Sequence, residues 1–424
     1  MKLFWLILYN VFFYPILFIC VIILSIFNRK LRKGFQGRLK SISKIENFLK
    51  NVDFNNNIYW IHVASLGEFL QSKIIIENLK LKEVNTKILV SFSSPSGYEN
   101  SLAENIDLKI YLPFDFPWVI NKSISLIKPR KIIICSNDLW PNFIWIANRK
   151  RIHVNVFSLY MKKRNFLFRQ ITNSIFNAIY SNLASIYTVT DKDRKYLLKM
   201  IKNNKKIIIR VCGNPRYDTI EKTNFAKTEN KPIHKREKRI VIASSHKEDD
   251  FIIPIIIKLQ KQYPNIKILY VPHEPNSTEI KRLYKIFLKY KIIPFVFNQK
   301  DLNNIPNEKV VLIGIVGILQ QIYWSSQIVY IGGGFSSGIH NIMEPSIAGV
   351  PIIFGPNYEH AYEANILLKI GGAFCINNKI EFKIIIEKLI NNQSYLKKVG
   401  KISSNLVHDN VGASAKIVNY IIKD

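Results

Sequence analysis

Two carboxylate side chains, Glu68 and Asp138, follow apolar runs that predict buried strands. Glu68 comes after residues 58–64 and falls on the first turn of a predicted helix. An acid at that position either complements the helix macrodipole or faces a ligand as a general base. Asp138 comes after residues 131–135, just before the next predicted helix. The pattern indicates acid–base chemistry at the edge of a sheet, with helix capping as the alternative interpretation.

Two later segments offer hydrogen-bond donors to an anion. Residues 243–250, ASSHKEDD, follow another apolar run and place Ser245 and His246 at the start of a predicted helix, where they bind a phosphate or simply cap the helix. Residues 330–356 combine a triple-glycine turn, a helix that carries Glu344, and a short strand. A lone glycine triplet is weak evidence. The ordered string predicts a loop whose backbone amides bind a phosphate while Glu344 accepts from hydroxyl groups.

The elements that position these side chains are short strands alternating with amphipathic helices. This alternation predicts an α/β fold with parallel, doubly wound sheets. Strands are predicted at residues 58–63, 88–92, 108–112, 131–135, 152–157, 185–189 and 207–211, and then at 239–243, 266–271, 293–297, 310–314, 328–331 and 351–354.

The chain divides at a polar, charged segment, which we interpret as a linker. The predicted organisation is a membrane-anchor helix at 1–28, an N-terminal Rossmann-like domain at 29–220, a linker at 221–238 and a C-terminal Rossmann-like domain at 239–424. Two such domains are expected to face a cleft, because ligands of open α/β sheets bind at the carboxyl ends of the strands.

The N-terminus is almost wholly apolar over residues 3–27, long enough to span the roughly 30 Å core of a bilayer. The basic residues that follow at once are Arg29, Lys30, Arg32, Lys33, Arg38 and Lys40. By the positive-inside rule they keep the rest of the chain on the cytoplasmic side. A signal peptide fits less well, because the apolar run is too long and no small-residue cleavage site follows it. A buried core helix is the other alternative.

Composition bounds the function classes. A 48% hydrophobic share over 424 residues excludes a disordered chain, and the four cysteines show no CxxC spacing, so neither a disulfide scaffold nor a structural zinc site is expected. The formal net charge of +31 suits a polyanionic partner, but Lys, Ile and Asn are frequent in every region, so compositional drift explains it equally well. A nucleic-acid-binding protein would show clustered basic residues interleaved with aromatics, whereas Lys is spread along the whole chain.

With these segments in view, the sequence resembles the 3-deoxy-D-manno-octulosonic acid (Kdo) transferases of lipopolysaccharide synthesis, from the anchor to near the C-terminus. The matching strings begin at residues 60, 91, 111, 138, 211, 243, 271 and 332: WIHVASLGE, SFSSPSGYE, YLPFDFP, DLWPN, VCGNPRYD, ASSHKEDD, VPHEP and GGGFSSGIHNIMEPSIAGVPIIFGPNYEHAYEA. Their order and spacing match too. The last string resembles the Bacteroidetes branch in particular.

The resemblance implies a GT-B fold and an inverting transfer of Kdo from CMP-Kdo to the lipid A precursor, a tetraacyl disaccharide bisphosphate, without a metal or cofactor. The apolar N-terminal run and the basic residues after it predict an anionic inner-membrane surface as a partner and attachment to the inner (cytoplasmic) membrane, and no nucleic-acid partner is expected. Glu68 matches the family's general base, and Asp138 stands where the family usually has Glu. The residues that match the family's donor contacts are Ser245, His246, His273, Gly333, Gly334, Asn341 and Glu344.

Two alternatives stay open at this stage. Many members carry acids in the stretch that reads IGIVGIL here, at residues 313–319, so a transferase that has lost its activity is one of them. The other is a GT-B lipid glycosyltransferase that uses a different nucleotide sugar.

Overall fold

The computed structural model describes residues 2–52, 57–83, 85–102, 104–161, 169–201, 206–225, 232–245, 249–299 and 306–424. The chain divides into two units. One comprises Met1–Thr219 and Val411–Asp424, and the other comprises Ile220–Asn410. In the described residues each unit contains one seven-stranded sheet, and all the pairings within it are parallel. The predicted α/β class with two Rossmann-like halves is therefore confirmed.

The first sheet has the strand order β3-β2-β1-β4-β5-β6-β7. Its strands are β1 (Asn57–Val63), β2 (Thr86–Phe92), β3 (Leu108–Tyr111), β4 (Lys131–Cys135), β5 (His153–Leu159), β6 (Ser185–Thr188) and β7 (Ile208–Val211). Within β1, Ile61 pairs with Val90 on one side and Ile133 on the other. Because β1, β2 and β4 are neighbours and parallel, the residues that follow them emerge at the same edge of the sheet.

Helices cover both faces of this sheet. The helices in this part of the chain are α1 (Lys2–Leu8), α2 (Tyr14–Phe27), α3 (Arg29–Leu39), α4 (Ser41–Leu49), α5 (Leu66–Lys82), α6 (Pro95–Asn100), α7 (Pro117–Ile127), α8 (Pro141–Arg149), α9 (Arg169–Tyr180), α10 (Asp191–Met200) and α11 (Pro215–Phe225), the last of which crosses the unit boundary after Thr219. Proline in the first turn of α6, α7 and α8 starts each helix without losing a backbone hydrogen bond. Successive residues of β1 point to opposite faces of the sheet, so Trp60 packs in the hydrophobic core on one face and Ile61 in the core on the other.

The apolar N-terminal helix is long and apolar enough to cross a membrane, over Leu3–Phe27. It consists of α1 and α2 with a π-helical turn, Tyr9–Phe13, between them. The Tyr9 hydroxyl donates to Asp115 Oδ2 at 2.8 Å, and Trp5 Nε1 donates to Ser174 Oγ at 2.9 Å. These contacts fasten one side of the helix to the first unit, while the other side exposes large apolar residues such as Phe27, at 81%.

Asp115, which accepts the hydrogen bond from Tyr9, is fully buried. Its carboxylate also accepts hydrogen bonds from the backbone N–H groups of Asn142 (3.0 Å) and Phe143 (2.9 Å) at the start of α8. Burial raises the pKa of Asp115 to about 7, although these hydrogen bonds act in the opposite direction. The carboxyl group therefore joins the N-terminal helix to the start of α8.

The second sheet has the order β10-β11-β9-β8-β12-β13-β14. Its strands are β8 (Arg239–Ser245), β9 (Lys267–Pro272), β10 (Phe295–Phe297), β11 (Val310–Ile313), β12 (Ile328–Ile331), β13 (Ile352–Phe354) and β14 (Ala373–Cys375). The helices of this unit are α12 (Asp249–Gln262), α13 (Ser277–Lys289), α14 (Leu319–Trp324), α15 (Met343–Ile347), α16 (Tyr362–Ile370), α17 (Lys379–Asn391) and α18 (Gln393–His408). The sequence analysis did not predict β14, a three-residue strand at the edge of the sheet.

The last helix, α19 (Ala413–Lys423), belongs to the first unit, whereas the sequence analysis placed it in a domain at 239–424. Its apolar side, with Ile417 and Ile421, is fully buried in a core of the first sheet. Asp218 accepts hydrogen bonds from Gly412 N (2.8 Å) and Ser414 Oγ (3.0 Å) at the start of the helix. A short apolar helix is stable only where its face is covered, and here the first unit covers it.

The predicted linker at 221–238 also differs in its described parts. Helix α11 runs through the start of this segment to Phe225, and a 3₁₀ turn occupies Ile233–Lys235. Residues 226–231 lie outside the described ranges. The unit boundary after Thr219 falls beside the predicted start of the linker.

Candidate active site

Three polar side chains meet at the carboxyl edge of the first sheet. His62 is the penultimate residue of β1, Ser93 follows β2, and Asp138 follows β4. His62 Nε2 lies 3.0 Å from Asp138 Oδ2, and the Ser93 hydroxyl donates to the same oxygen. An ionised carboxylate only accepts hydrogen bonds, so Nε2 of His62 carries the proton in this contact.

His62 is fully buried, and a hydrogen bond at the ring nitrogen remote from Asp138 orients its side chain. Its Nδ1 lies 2.9 Å from Ser91 Oγ, which in turn accepts a hydrogen bond from Trp60 Nε1 at 2.8 Å. The Ser91 hydroxyl proton is thus available to Nδ1. A continuous hydrogen-bonded chain runs from the core residue Trp60 to Asp138 and fixes the carboxylate in place.

Glu68 lies on the first turn of α5, as predicted. The Ser65 side chain caps this helix, and Glu68 Oε2 accepts a hydrogen bond from Ala64 N at 2.6 Å. The capping interpretation of Glu68 is therefore partly met. One carboxylate oxygen is used by the backbone, whereas Oε1 has no hydrogen-bond partner within the described ranges. That oxygen is available to a ligand.

The two carboxyl groups have pKa values displaced in opposite directions. Burial, together with the negative charge of Asp138, raises the pKa of Glu68, although the hydrogen bond from Ala64 and the nearby His62 oppose the shift. Burial also acts to raise the pKa of Asp138, but the hydrogen bonds from His62 and Ser93 outweigh it and lower the pKa to about 2. One acid that stays ionised beside another that binds a proton more readily is the arrangement of an acid–base pair.

His62 and Ser93 are site residues that the sequence analysis did not single out. Both stand inside strings quoted there, WIHVASLGE and SFSSPSGYE. The available signal was a polar residue within or directly after each apolar run. It becomes informative only once β1, β2 and β4 are known to be neighbours.

In the second unit, the triple-glycine turn follows β12 and packs against neighbouring backbone. A Cβ atom on Gly332 would lie 2.2 Å from Ser244 O, and one on Gly334 would lie 2.5 Å from Gly355 N. Gly333 has φ +86°, a conformation that side chains disfavour. These positions require glycine, so the turn brings bare backbone close to the carboxyl ends of β8 and β13.

Several predicted donor-site residues meet around this turn. Asn341 Nδ2 donates to Glu344 Oε1 at 3.0 Å, which orients that carboxylate. The rings of His273 and His340 stack with centroids 4.3 Å apart. Ser245 is 2% exposed, and its hydroxyl has no hydrogen-bond partner within the described ranges. His246 lies outside the described residues.

A pocket of about 550 Å³ opens at the ends of β9 and β11. It is lined by residues 273–276 and 314–316, so His273 stands in its wall. The residues after β11 belong to the stretch 313–319, which contains no acidic side chain. In the described part of the chain, no group of three or more His, Cys, Asp or Glu side chains is arranged to hold a metal ion.

Residues 33–219 match the family model described as 3-deoxy-D-manno-octulosonic-acid transferase (kdotransferase). The chain is 26% identical over 344 residues to the 3-deoxy-D-manno-octulosonic acid transferase of Aquifex aeolicus, covering 80% of this chain and 87% of that protein. It is 24% identical over 377 residues to the Haemophilus influenzae protein of the same name, with 85% and 86% covered.

Among solved structures, the UDP-GlcNAc 2-epimerase of Neisseria meningitidis bound to UDP-GlcNAc is similar, with a TM-score of 0.60 at 16% identity. The match covers 87% of this chain and all of that one. At this identity the likeness concerns the fold alone, and it agrees with two Rossmann-like units in one chain.

Proposed function

We propose that this chain, which belongs to the 3-deoxy-D-manno-octulosonic acid (Kdo) transferase family, moves Kdo from CMP-Kdo to the lipid A precursor in lipopolysaccharide synthesis. It is a glycosyltransferase, and the acceptor we propose is a tetraacyl disaccharide bisphosphate. The observation that carries the proposal is the pair of carboxylates at the edge of the first sheet, where Glu68 has a raised pKa and a free oxygen beside an ionised Asp138.

In the proposed reaction, Glu68 Oε1 takes the proton of the acceptor's primary hydroxyl as the oxygen attacks the anomeric carbon of Kdo. The bond to CMP breaks and its electron pair leaves with the phosphate. Attack on the face opposite the leaving group inverts the anomeric centre. Asp138 stays ionised, and its negative charge stabilises the positive charge that develops on the sugar ring in the transition state. General-base catalysis of this kind is worth about 10²–10⁴-fold.

In this proposal the second unit binds CMP-Kdo. Backbone amides around Gly333 and Gly334 and the hydroxyl of Ser245 would bind the phosphate, together with His246 and His273. Asn341 holds Glu344 in an orientation suited to accept from the ribose hydroxyls. A phosphate-linked leaving group is a weak base, so the proposed transfer needs neither a general acid nor a metal or cofactor. CMP-Kdo itself is a co-substrate.

The proposed location is the inner (cytoplasmic) membrane, with both units on the cytoplasmic side. The apolar helix Leu3–Phe27 supplies the anchor, and the basic residues of α3 supply attraction to anionic lipid at about 1 kcal/mol for each Lys or Arg near the surface. The acceptor's acyl chains lie in that membrane, so anchoring brings the enzyme to its substrate. Nucleic acid has no part in the proposal.

A donor screen tests this function. Purified full-length chain in detergent is incubated with the tetraacyl acceptor and either CMP-Kdo or a panel of UDP-sugars, and CMP or UDP release is measured. Of the donors tested, we expect only CMP-Kdo to be turned over, with CMP released only when the acceptor is present. Turnover with a UDP-sugar instead would favour the alternative, a GT-B lipid glycosyltransferase with a different donor.

A further inference from the structure

The first unit contains an apolar pocket of about 140 Å³ between α2 and α3. Leu17 and Val21 stand in the wall from α2, and Gly34 stands in the wall from α3. Aromatic side chains from both helices and from the loops after β3 and β4 also line the pocket. The pocket therefore lies directly beside the anchor helix.

This pocket shares a lining residue, Ser93, with the carboxylate site. Ser93 lines the pocket, and its hydroxyl also donates a hydrogen bond to Asp138. Trp140, which lies two residues beyond Asp138 in the sequence, lines the pocket as well. Arg38 fixes this wall: its guanidinium donates to Leu112 O at 2.8 Å and to Ser93 O at 3.2 Å, and lies 5.5 Å from the centre of the Trp140 ring. An occupant of the pocket thus contacts the residues that hold Asp138.

The lining indicates what the occupant is. Its walls are mainly apolar, and its two charged members, Lys30 and Arg38, are both cations. No acidic side chain is among the described residues that line it. A free sugar or nucleotide would gain little from apolar walls, whereas a hydrocarbon chain attached to a phosphorylated head group complements both features.

We propose that this pocket binds one fatty acyl chain of the phosphorylated glycolipid acceptor, with Lys30 directed at its anionic group. This inference rests on the proposed function and deepens it, because it makes the enzyme sensitive to acceptor acylation. The acceptor is favoured over a bilayer phospholipid since Ser93 joins the pocket to the carboxylate site. A chain seated there carries its sugar towards Asp138, and a phospholipid brings no such group. Each methylene that contacts the pocket contributes about fourfold to kcat/KM.

The test fills the pocket and varies the acyl chain. Val21→Trp places an indole in the pocket, and Val11→Trp makes the same change on the apolar helix at a residue that is 58% exposed and does not line the pocket. The kcat/KM of each variant is measured in detergent with the tetraacyl acceptor and with an analogue whose acyl chains are shortened to about four carbons, which removes most of the apolar contact with the pocket.

We expect Val21→Trp to lose about 50-fold in kcat/KM with the long-chain acceptor and less than about threefold with the short-chain analogue, while Val11→Trp changes neither. Gly34→Ala gives a second, smaller change. Its Cβ would lie 3.4 Å from Pro95, an ordinary contact, so the fold tolerates it, and one added methyl group costs about fourfold with the long chain only.

An equal loss with both acceptors, or no loss in Val21→Trp and Gly34→Ala, overturns the acyl-chain assignment. Unchanged kinetics combined with weaker binding to phospholipid vesicles assigns the pocket to a bilayer lipid and also overturns it. Failure of the proposed function is distinct, because the wild-type chain would then transfer Kdo to neither acceptor.

Discussion

Replacing Glu68 with glutamine removes the proposed base while keeping the shape of the side chain. The amide oxygen introduced by Glu68→Gln can still accept the hydrogen bond from Ala64 N, and the Ser65 cap is untouched. The change in the free energy of unfolding is therefore expected to stay within about 0.5 kcal/mol. A loss of activity in Glu68→Gln would then reflect chemistry and not unfolding.

The expected loss in kcat is about 10²–10⁴-fold, the usual contribution of a positioned general base. This corresponds to about 3–5 kcal/mol of transition-state stabilisation, at roughly 1.36 kcal/mol for each factor of ten. The KM for CMP-Kdo should change little, because the proposed donor contacts lie in the second unit. The defect should therefore appear in kcat.

The pH profile gives an independent readout. Burial and then the charge of Asp138 raise the pKa of Glu68, so the acidic limb of kcat/KM in the wild type should lie above the ordinary glutamate value of 4.5. Activity is lost as the pH falls through that pKa, since the protonated carboxyl cannot accept the acceptor's proton. Glu68→Gln should abolish this limb along with most of the activity.

The assay is a continuous measurement of CMP release across pH, with Glu77→Gln as the matched control. Glu77 is on the same helix, nine residues and about 13 Å further along its axis. A Glu68→Gln variant within about fivefold of wild type, or one that retains the acidic limb, would refute Glu68 as the base.

Three further changes test other parts of the structure. Asp138→Asn removes a negative charge that raises the pKa of Glu68, so the acidic limb of kcat/KM should move to lower pH, and a move to higher pH would contradict the coupling. Gly333→Ala forces a side chain into φ +86° with its Cβ 2.3 Å from a backbone oxygen of the same loop. Gly333→Ala should lower the free energy of unfolding by about 1–3 kcal/mol and raise the KM for CMP-Kdo. The control is Gly317→Ala, where φ is also positive, at +90°, but the added Cβ would have no atom within 4 Å. This control should leave the KM for CMP-Kdo unchanged. Asp115→Ala leaves buried N–H groups without an acceptor, at about 1–3 kcal/mol each, so urea unfolding should show a loss of several kcal/mol, and a loss below about 1 kcal/mol would contradict this role.

Much of the fold was predictable because its signals are local. The strand at residues 131–135 was predicted with the bounds of β4. Nearly continuous apolar runs identify buried parallel strands whatever their partners. The edge strand β14 was missed because three residues carry too little pattern.

The parts that escaped prediction depend on contacts between distant segments. Nothing in the run that contains His62 says that Asp138, 76 positions later, will accept its hydrogen bond. The packing of α19 against the first sheet is likewise set by tertiary burial of Ile417 and Ile421, not by their position in the chain. Glu68 was singled out because a carboxylate after a strand is a local pattern, but its hydrogen bond with Ala64 N was not predictable.

Product analysis tests the proposed reaction most directly. Full-length chain is incubated with CMP-Kdo and the tetraacyl disaccharide bisphosphate, and the lipid product is examined by mass spectrometry and by NMR of the new glycosidic linkage. We predict a mass increase of one or more Kdo groups, an anomeric configuration opposite to that of the donor, and no such product from Glu68→Gln. A lipid of unchanged mass with the wild-type chain, or a product that retains the donor configuration, would contradict the proposal.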